Sequence, residues 1–134
     1  MSYIPKYILK RMIPQDAVKI ENDEIVVEMT NVISPISIDE VPENVLEYIE
    51  LKVDGNVIVD GSKPEMGKTL KITWEDKVFT IDNFKSAVGM TLPVGGKLKI
   101  AFKNPGLASG STHKFEVTIK TNNPINIEFE RTVQ

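Results

Sequence analysis

Apolar and polar residues alternate with a period of two along much of the chain. The alternation is clearest in residues 25–30, 48–53, 70–74, 97–103, 114–120 and 125–130. This period is typical of β-strands that bury one face, because successive side chains point to opposite sides of a strand. In most of these segments the second face carries Lys and Glu. That pattern favours antiparallel sheets covered on one side, since parallel strands buried on both faces have continuous apolar runs.

We expect the apolar faces of these segments to form one contiguous core. Its predicted members are Ile25, Val27, Ile49, Leu51, Leu70, Ile72, Trp74, Leu98, Ile100, Phe102, Phe115, Val117 and Ile119. Two antiparallel sheets that face each other across such a core make a sandwich. The predicted fold class is therefore all-β, an antiparallel β-sandwich of the Ig-like or C2-like kind with one short helix. Residues 1–134 are interpreted as a single domain, because no repeat or long linker divides them.

Turn residues stand between the predicted strands. Asp54-Gly55-Asn56, Val94-Gly95-Gly96 and Asn104-Pro105-Gly106 lie where the chain must reverse, and Pro followed by Gly suits a type II turn. Residues 70–74 and 78–81 flank a short polar stretch and predict a hairpin.

Two segments are candidates for a short helix. Asp82 can cap the first, which would bury Phe84, Ala87 and Val88 and end at Gly89. The second spans residues 5–12, with Pro5 at its start and Pro14 as a stop. For that segment a strand is nearly as well supported.

The N-terminal segment, residues 1–20, is basic and aromatic. It holds four Lys or Arg residues and one acid, whereas the remainder of the chain is acidic. The sandwich core is complete without it, so its apolar residues would be exposed unless another surface covers them. We therefore predict an interface with a larger protein subunit or a second copy in a homo-oligomer, formed by Tyr3, Ile4, Tyr7, Ile8, Lys10, Arg11 and Met12. Alternatively, the segment adds an edge strand or covers one end of the sandwich.

Composition excludes several functions. The chain has no cysteine and one histidine, so it can form neither disulfides nor multi-histidine metal sites, and we predict no metal and no cofactor. A net charge of −3 argues against nucleic-acid binding. The sequence shows neither a secretion signal nor an apolar run of membrane-spanning length, so we expect a cytoplasmic chain without membrane contact.

His113 is the only candidate catalytic residue, because it alone titrates near neutral pH. No Ser, Thr or acid is tied to it by a recognisable spacing, which favours a structural or exposed histidine over a general base. Gly67-Lys68-Thr69 resembles the end of a phosphate-binding loop but lacks the first glycine, so an ordinary turn is expected. Acids near predicted sheet ends lack the Asp-x-Asp repetition of calcium loops and are interpreted as solvated: Asp39, Glu40, Asp54, Asp60, Glu75 and Asp76.

From about residue 36 to 120, the order of features resembles the small β subunit of bacterial C-glycoside deglycosidases. The matching pieces, in order, are Ser37-Ile38, residues 48–55, residues 78–82, residues 99–107, Gly110 and residues 113–117. The resemblance implies a β-sandwich subunit that packs on a larger metal-dependent barrel subunit, which supplies the catalytic histidine and the metal ligands.

The absence of a complete catalytic pattern and the resemblance both favour a non-catalytic binding or accessory subunit. Two alternatives belong to other classes. One is a stand-alone Ig-like or calcium-dependent binding module, and the other is a small enzyme that uses His113.

Overall fold

The computed structural model describes residues 6–32, 36–37, 45–63, 65, 69–74, 76–80, 83, 91–120 and 125–134. Within these residues lie one α-helix, α1 (Lys6–Met12), and a 3-10 helix (Val45–Tyr48). The strands are β1 (Val18–Glu21), β2 (Glu24–Thr30), β3 (Ile36–Ser37), β4 (Ile49–Val53), β5 (Asn56–Asp60), β6 (Lys71–Trp74), β7 (Lys77–Phe79), β8 (Thr91–Leu92), β9 (Lys97–Lys103), β10 (Thr112–Ile119) and β11 (Ile125–Thr132). The helix predicted at residues 82–89 lies outside the described residues.

The strands form two main antiparallel sheets, as predicted. The five-stranded sheet has the order β1-β2-β9-β6-β7 and the four-stranded sheet has the order β11-β10-β4-β5, while β3 and β8 pair separately. The predicted hairpin is β6–β7, and all of the predicted strands appear within a few residues of their expected bounds. The all-β class with one short α-helix is therefore confirmed, and α1 replaces the alternative of an N-terminal strand.

Two hairpins have tight two-residue turns. Asn22 and Asp23 connect β1 to β2 with φ of 49° and 65°, and Asp54 and Gly55 connect β4 to β5 with φ of 51° and 84°. Two consecutive left-handed residues define the type I′ turn, whose twist matches that of the flanking strands. The second turn was predicted; the first, and with it β1, was not.

The core lies between the two sheets. All thirteen predicted core residues belong to it: eleven are buried, and Leu98 and Ile119 are half-buried against the others. The rings of Phe115 and Phe129 stack with centroids 5.4 Å apart. The space between the sheets there leaves a void of only about 10 Å³, at the lower limit of what one water molecule requires. The predicted register is therefore confirmed.

Within the described ranges, no helix has the length and apolar character needed to cross a bilayer.

Candidate functional site

His113 lies near the start of β10, at one end of the four-stranded sheet. Its ring meets Phe115 edge-on, with centroids 6.5 Å apart, and it pairs across the ladder with Arg131 of β11. The side chain is only 19% exposed. His113 therefore closes the inner face of the sheet where the aromatic core ends.

Both ring nitrogens of His113 have polar partners. Nδ1 lies 2.6 Å from Oδ2 of Asp54, and Nε2 lies 2.7 Å from Oγ of Ser111. No sequence spacing indicates these partners, but the fold places an acid and a serine beside the histidine. Asp54 is brought near by the β4–β5 turn and the β4–β10 pairing, while Ser111, two residues before His113, was a signal that sequence reasoning missed.

The two partners of His113 differ in the hydrogen bonds that they can make. The Ser111 hydroxyl donates to the Ala108 carbonyl at 2.5 Å, and its Oγ also lies 2.7 Å from Nε2 of His113. An ionised carboxylate only accepts, so Nδ1 must donate to Asp54. His113 is thus held between a carboxylate and a hydroxyl.

Asp54 is fixed from two sides. Its Oδ1 accepts the backbone N–H of Lys114 at 3.0 Å, while its own N–H donates to the Lys114 carbonyl at 2.8 Å. The hydrogen bond from His113, and next that from Lys114, lower the pKa of the Asp54 carboxyl below its usual range. Asp54 is therefore an anion that clamps the β4–β5 turn to the start of β10.

The order Asp–His–Ser matches the connectivity of hydrolytic triads, but the protons are placed differently. A triad serine donates its proton to a neutral histidine, whereas the Ser111 proton is directed at Ala108. The nearby N–H groups of Ser111 and Gly110, which could stabilise an oxyanion, donate to the carbonyls of Ala108 and Val133. The geometry is that of a structural clamp.

The predicted acidic positions do not assemble a metal site among the described residues. No group of three or more His, Asp or Glu side chains in those ranges is arranged to hold an ion. Oδ1 of Asp60 accepts both the hydroxyl and the N–H of Ser62, which lower the pKa of its carboxyl. Asp76 is exposed. Asp39, Glu40, Glu75, Gly67 and Lys68 lie outside the described residues.

The predicted interface residues fall on two sides of α1. Tyr7 is 70% exposed, and Lys10 and Arg11 are also exposed. Ile8 is half-buried, and Met12 is a core residue, so Met12 is not available to a partner. Tyr3 and Ile4 lie outside the described residues. The described part of the segment therefore covers the sandwich with one side and presents a basic, aromatic surface with the other.

Arg131 anchors this segment, and sequence reasoning did not identify it. Its guanidinium is buried, and Nε and Nη2 donate to the Ile13 carbonyl at 3.2 and 2.5 Å. Nε also donates to the Pro14 carbonyl at 3.1 Å, and Nη1 donates to the Glu130 carbonyl at 2.6 Å. Burial lowers the pKa of Arg131. The signal in the sequence is an arginine that continues the inward alternation of Ile127 and Phe129.

The end of β11 also ties the segment that follows α1. Gln134 donates its N–H to the Val18 carbonyl at 2.9 Å and accepts from the N–H of Ile20 at 3.3 Å. Val133, 1% exposed, and Ile13, fully buried, pack in the same core. Residues 13–20 are thus held against the body of the fold, so α1 has a fixed attachment point.

No protein-family model matches the chain, and no curated protein is significantly similar to it. Inferences about function therefore depend on the two places just described. One is the Asp54–His113–Ser111 cluster, and the other is the outer side of α1, formed by Tyr7, Lys10 and Arg11.

Proposed function

We propose that this chain is a non-catalytic binding or accessory subunit that attaches to a larger protein subunit, or to a second copy, through the outer side of α1. The observation that carries the proposal is the two-sided placement of α1. Met12 and Ile13 are buried in the core while Tyr7 and Arg11 face solvent. A surface held in this way needs little ordering when a partner binds, which lowers the entropic cost of association.

The composition of the outer side supports a protein partner. Tyr and Arg are enriched in interfaces and among the residues that contribute most binding energy. Residues 1–20 hold four basic residues and one acid, against twelve basic residues and eighteen acids in the remainder. The charge of α1 therefore favours a partner with an acidic surface, and the resemblance to deglycosidase β subunits agrees with a larger barrel subunit as that partner.

The His113 cluster supports the non-catalytic part of the proposal. The Ser111 hydroxyl donates to the Ala108 carbonyl and not to the histidine, so this arrangement does not activate it as a nucleophile. The described contacts of His113 fasten one turn to another.

The test compares the purified chain with a double variant, Tyr7→Ser with Arg11→Glu, by sedimentation velocity, alone and mixed with any barrel subunit encoded beside it. We expect the wild-type chain to form a larger assembly in one of these conditions. The variant should lose the assembly while its melting temperature stays within about 2 °C, because both side chains are exposed. Val94→Ser removes another exposed apolar residue and is the control. A wild-type chain that stays monomeric in both conditions contradicts the proposal.

A deletion of residues 1–13 is unsuitable for this test, because it removes Met12 and Ile13 from the core and one acceptor of Arg131.

The enzyme alternative has its own observation, the Asp–His–Ser connectivity. Ester hydrolysis by the purified chain that disappears in both Ser111→Ala and folded His113→Ala would establish that alternative instead.

A further inference from the structure

The two main sheets have four edges, and three of them are protected. β1 is covered in part by Gln134. β7 has only three residues, one of them Lys77. β5 has an irregular register in which Ile58 is the extra residue between the pairs Leu51–Val59 and Lys52–Val57. Coverage, short length, lysine and bulges are the devices by which proteins prevent another strand from adding to an edge.

The fourth edge, β11, has no lysine and no bulge along residues 125–130, and no other described strand pairs with its outer side. The strand has eight residues, and its register with β10 is continuous from Ile125 to Thr132. Val133 donates its N–H to the Ser111 carbonyl and accepts from the Gly110 N–H, so its backbone groups face the β10 side. Backbone groups of successive residues point to opposite sides of a strand. The even-numbered residues of β11 therefore point their N–H and C=O groups outward, away from β10. Outward backbone groups are the template for strand addition.

Only the later part of this edge is satisfied internally. The carbonyls of Glu130 and Thr132 accept from the side chains of Arg131 and Gln134. No described residue pairs with the outward N–H and C=O of Glu128 or with the outward N–H of Glu130. The open stretch therefore runs through residues 126–130, which suits an extended segment of a few residues.

The side chains beside this stretch define the partner. Glu128 and Glu130 are exposed on the outer face of the sheet. Nζ of Lys114 lies 3.6 Å from Oε2 of Glu128, whereas Glu130 has no ion pair within the described residues. On the inner face Ile127 is only half-buried. A strand placed next to β11 would set alternate residues beside the two glutamates and the others beside Ile127, since opposite side chains on one face contact each other.

We propose that the open stretch of β11 is a second binding surface that takes an extended peptide segment with Lys or Arg at alternate positions and apolar residues between them. This goes beyond the role proposed for α1 and does not depend on it. Pairing of β11 with β11 of a second copy is disfavoured, because it brings Glu128 and Glu130 of both copies onto one stretch of outer face.

The probe is a capped octapeptide of alternating Lys and Val, added to the full chain. We expect the backbone amides of Glu128 and Glu130 to gain protection from hydrogen exchange when it binds. Two analogues carry N-methyl groups on all the lysine amides or on all the valine amides. Because alternate amides of a strand face opposite edges, one analogue should lose binding and the other should retain it. Equal behaviour of the two analogues overturns strand addition.

Charge is tested with Glu130→Lys and a matched control, Glu21→Lys, which makes the same change at an exposed position on β1. The first should weaken binding of the peptide by about three- to tenfold and the second by less than about twofold. Failure of the peptide to bind at millimolar concentration overturns the proposal. If the same amides are protected without peptide and the chain sediments as a dimer, a second copy occupies the edge, and the proposal of a peptide partner is overturned. Tyr7→Ser with Arg11→Glu should leave peptide binding unchanged, which separates this surface from that of α1.

Discussion

Asp54 and His113 form a hydrogen bond of 2.6 Å between Oδ2 and Nδ1, although 59 residues separate them in the chain. The carboxylate comes from a type I′ turn and the imidazole from the start of a neighbouring strand, so the contact joins two connections at one end of the four-stranded sheet. With Ser111 as the second partner of the ring, the cluster fixes both turns. His113, which has no recognisable partner in the sequence, thus helps to hold two connections together in the fold.

Asp54→Asn should reduce the loss of stability that accompanies a fall in pH. In the folded chain the hydrogen bond from His113, followed by that from Lys114, keeps the pKa of Asp54 below its unfolded value. The unfolded state then binds more protons, so the stabilisation is complete above the unfolded pKa, about pH 4, and is lost as the pH falls through the folded pKa. Asparagine tolerates the positive φ of this turn. Urea midpoints measured from pH 6 to pH 2 should decline less steeply in the variant than in the wild type.

The control for that measurement is Asp16→Asn, since Asp16 is exposed and makes no hydrogen bond to another described side chain. Its curve should follow that of the wild type. Parallel curves for wild type and Asp54→Asn would contradict the clamp.

Arg131→Met should lower the free energy of unfolding by about 3 kcal/mol, because the buried carbonyl of Ile13 loses the guanidinium that donates to it, whereas the Pro14 carbonyl keeps the N–H of Ala17. The change should also loosen the segment locally, so the Ile13 amide, which donates to the Leu9 carbonyl, should exchange faster than core amides. Urea unfolding and hydrogen exchange measure the two effects. Arg11→Met, at an exposed position, should change stability by less than about 0.5 kcal/mol. Equal effects of the two variants would show that Arg131 is not the anchor.

Gly61→Ala should destabilise the chain by about 3 kcal/mol or more, because the new methyl group would overlap the carbonyl oxygen of Leu46. That oxygen belongs to the 3-10 helix backbone and cannot rotate away as a side chain would. Gly95→Ala is the comparison: its φ of +88° is strained for alanine, but nothing lies within 4 Å. It should cost only about 1 kcal/mol. Thermal melting of both variants measures the two effects. A smaller loss of stability for Gly61→Ala than for Gly95→Ala would contradict the close approach of the Leu46 carbonyl to Gly61.

Phe102→Ala and Phe115→Ala should each cost about 3–5 kcal/mol, since both rings are buried between the sheets. Val78→Ala, at a position 53% exposed on β7, should be nearly neutral. Chemical denaturation of the three variants tests the register of β9 and β10. Near-neutral results for both phenylalanines would mean that these strands present the opposite face to the core.

The sequence predicted the strands that bury one face because their pattern is local. In β9, Leu98, Ile100 and Phe102 alternate with three lysines and Ala101, so the side that packs inward could be read from five or six neighbouring residues. β1 and β5 were missed for the opposite reason. β1 offers only Val18 and Ile20 as alternating apolar positions, while β5 has three consecutive apolar residues and an irregular register, which interrupt the period on which such a prediction depends.

Fold class, the core register, the basic N-terminal segment and the positions of most turns were therefore determined by the sequence alone, because hydrophobic periodicity and turn chemistry act over a few residues. The tertiary structure decided the pairs that join distant parts of the chain: Asp54 with His113, Arg131 with the carbonyls of Ile13 and Pro14, and the outward edge of β11. Such pairs depend on which strands become neighbours and in what register. The spacing of residues within one strand does not indicate which strands become neighbours, because strand pairing depends on how all of the strands pack around the core.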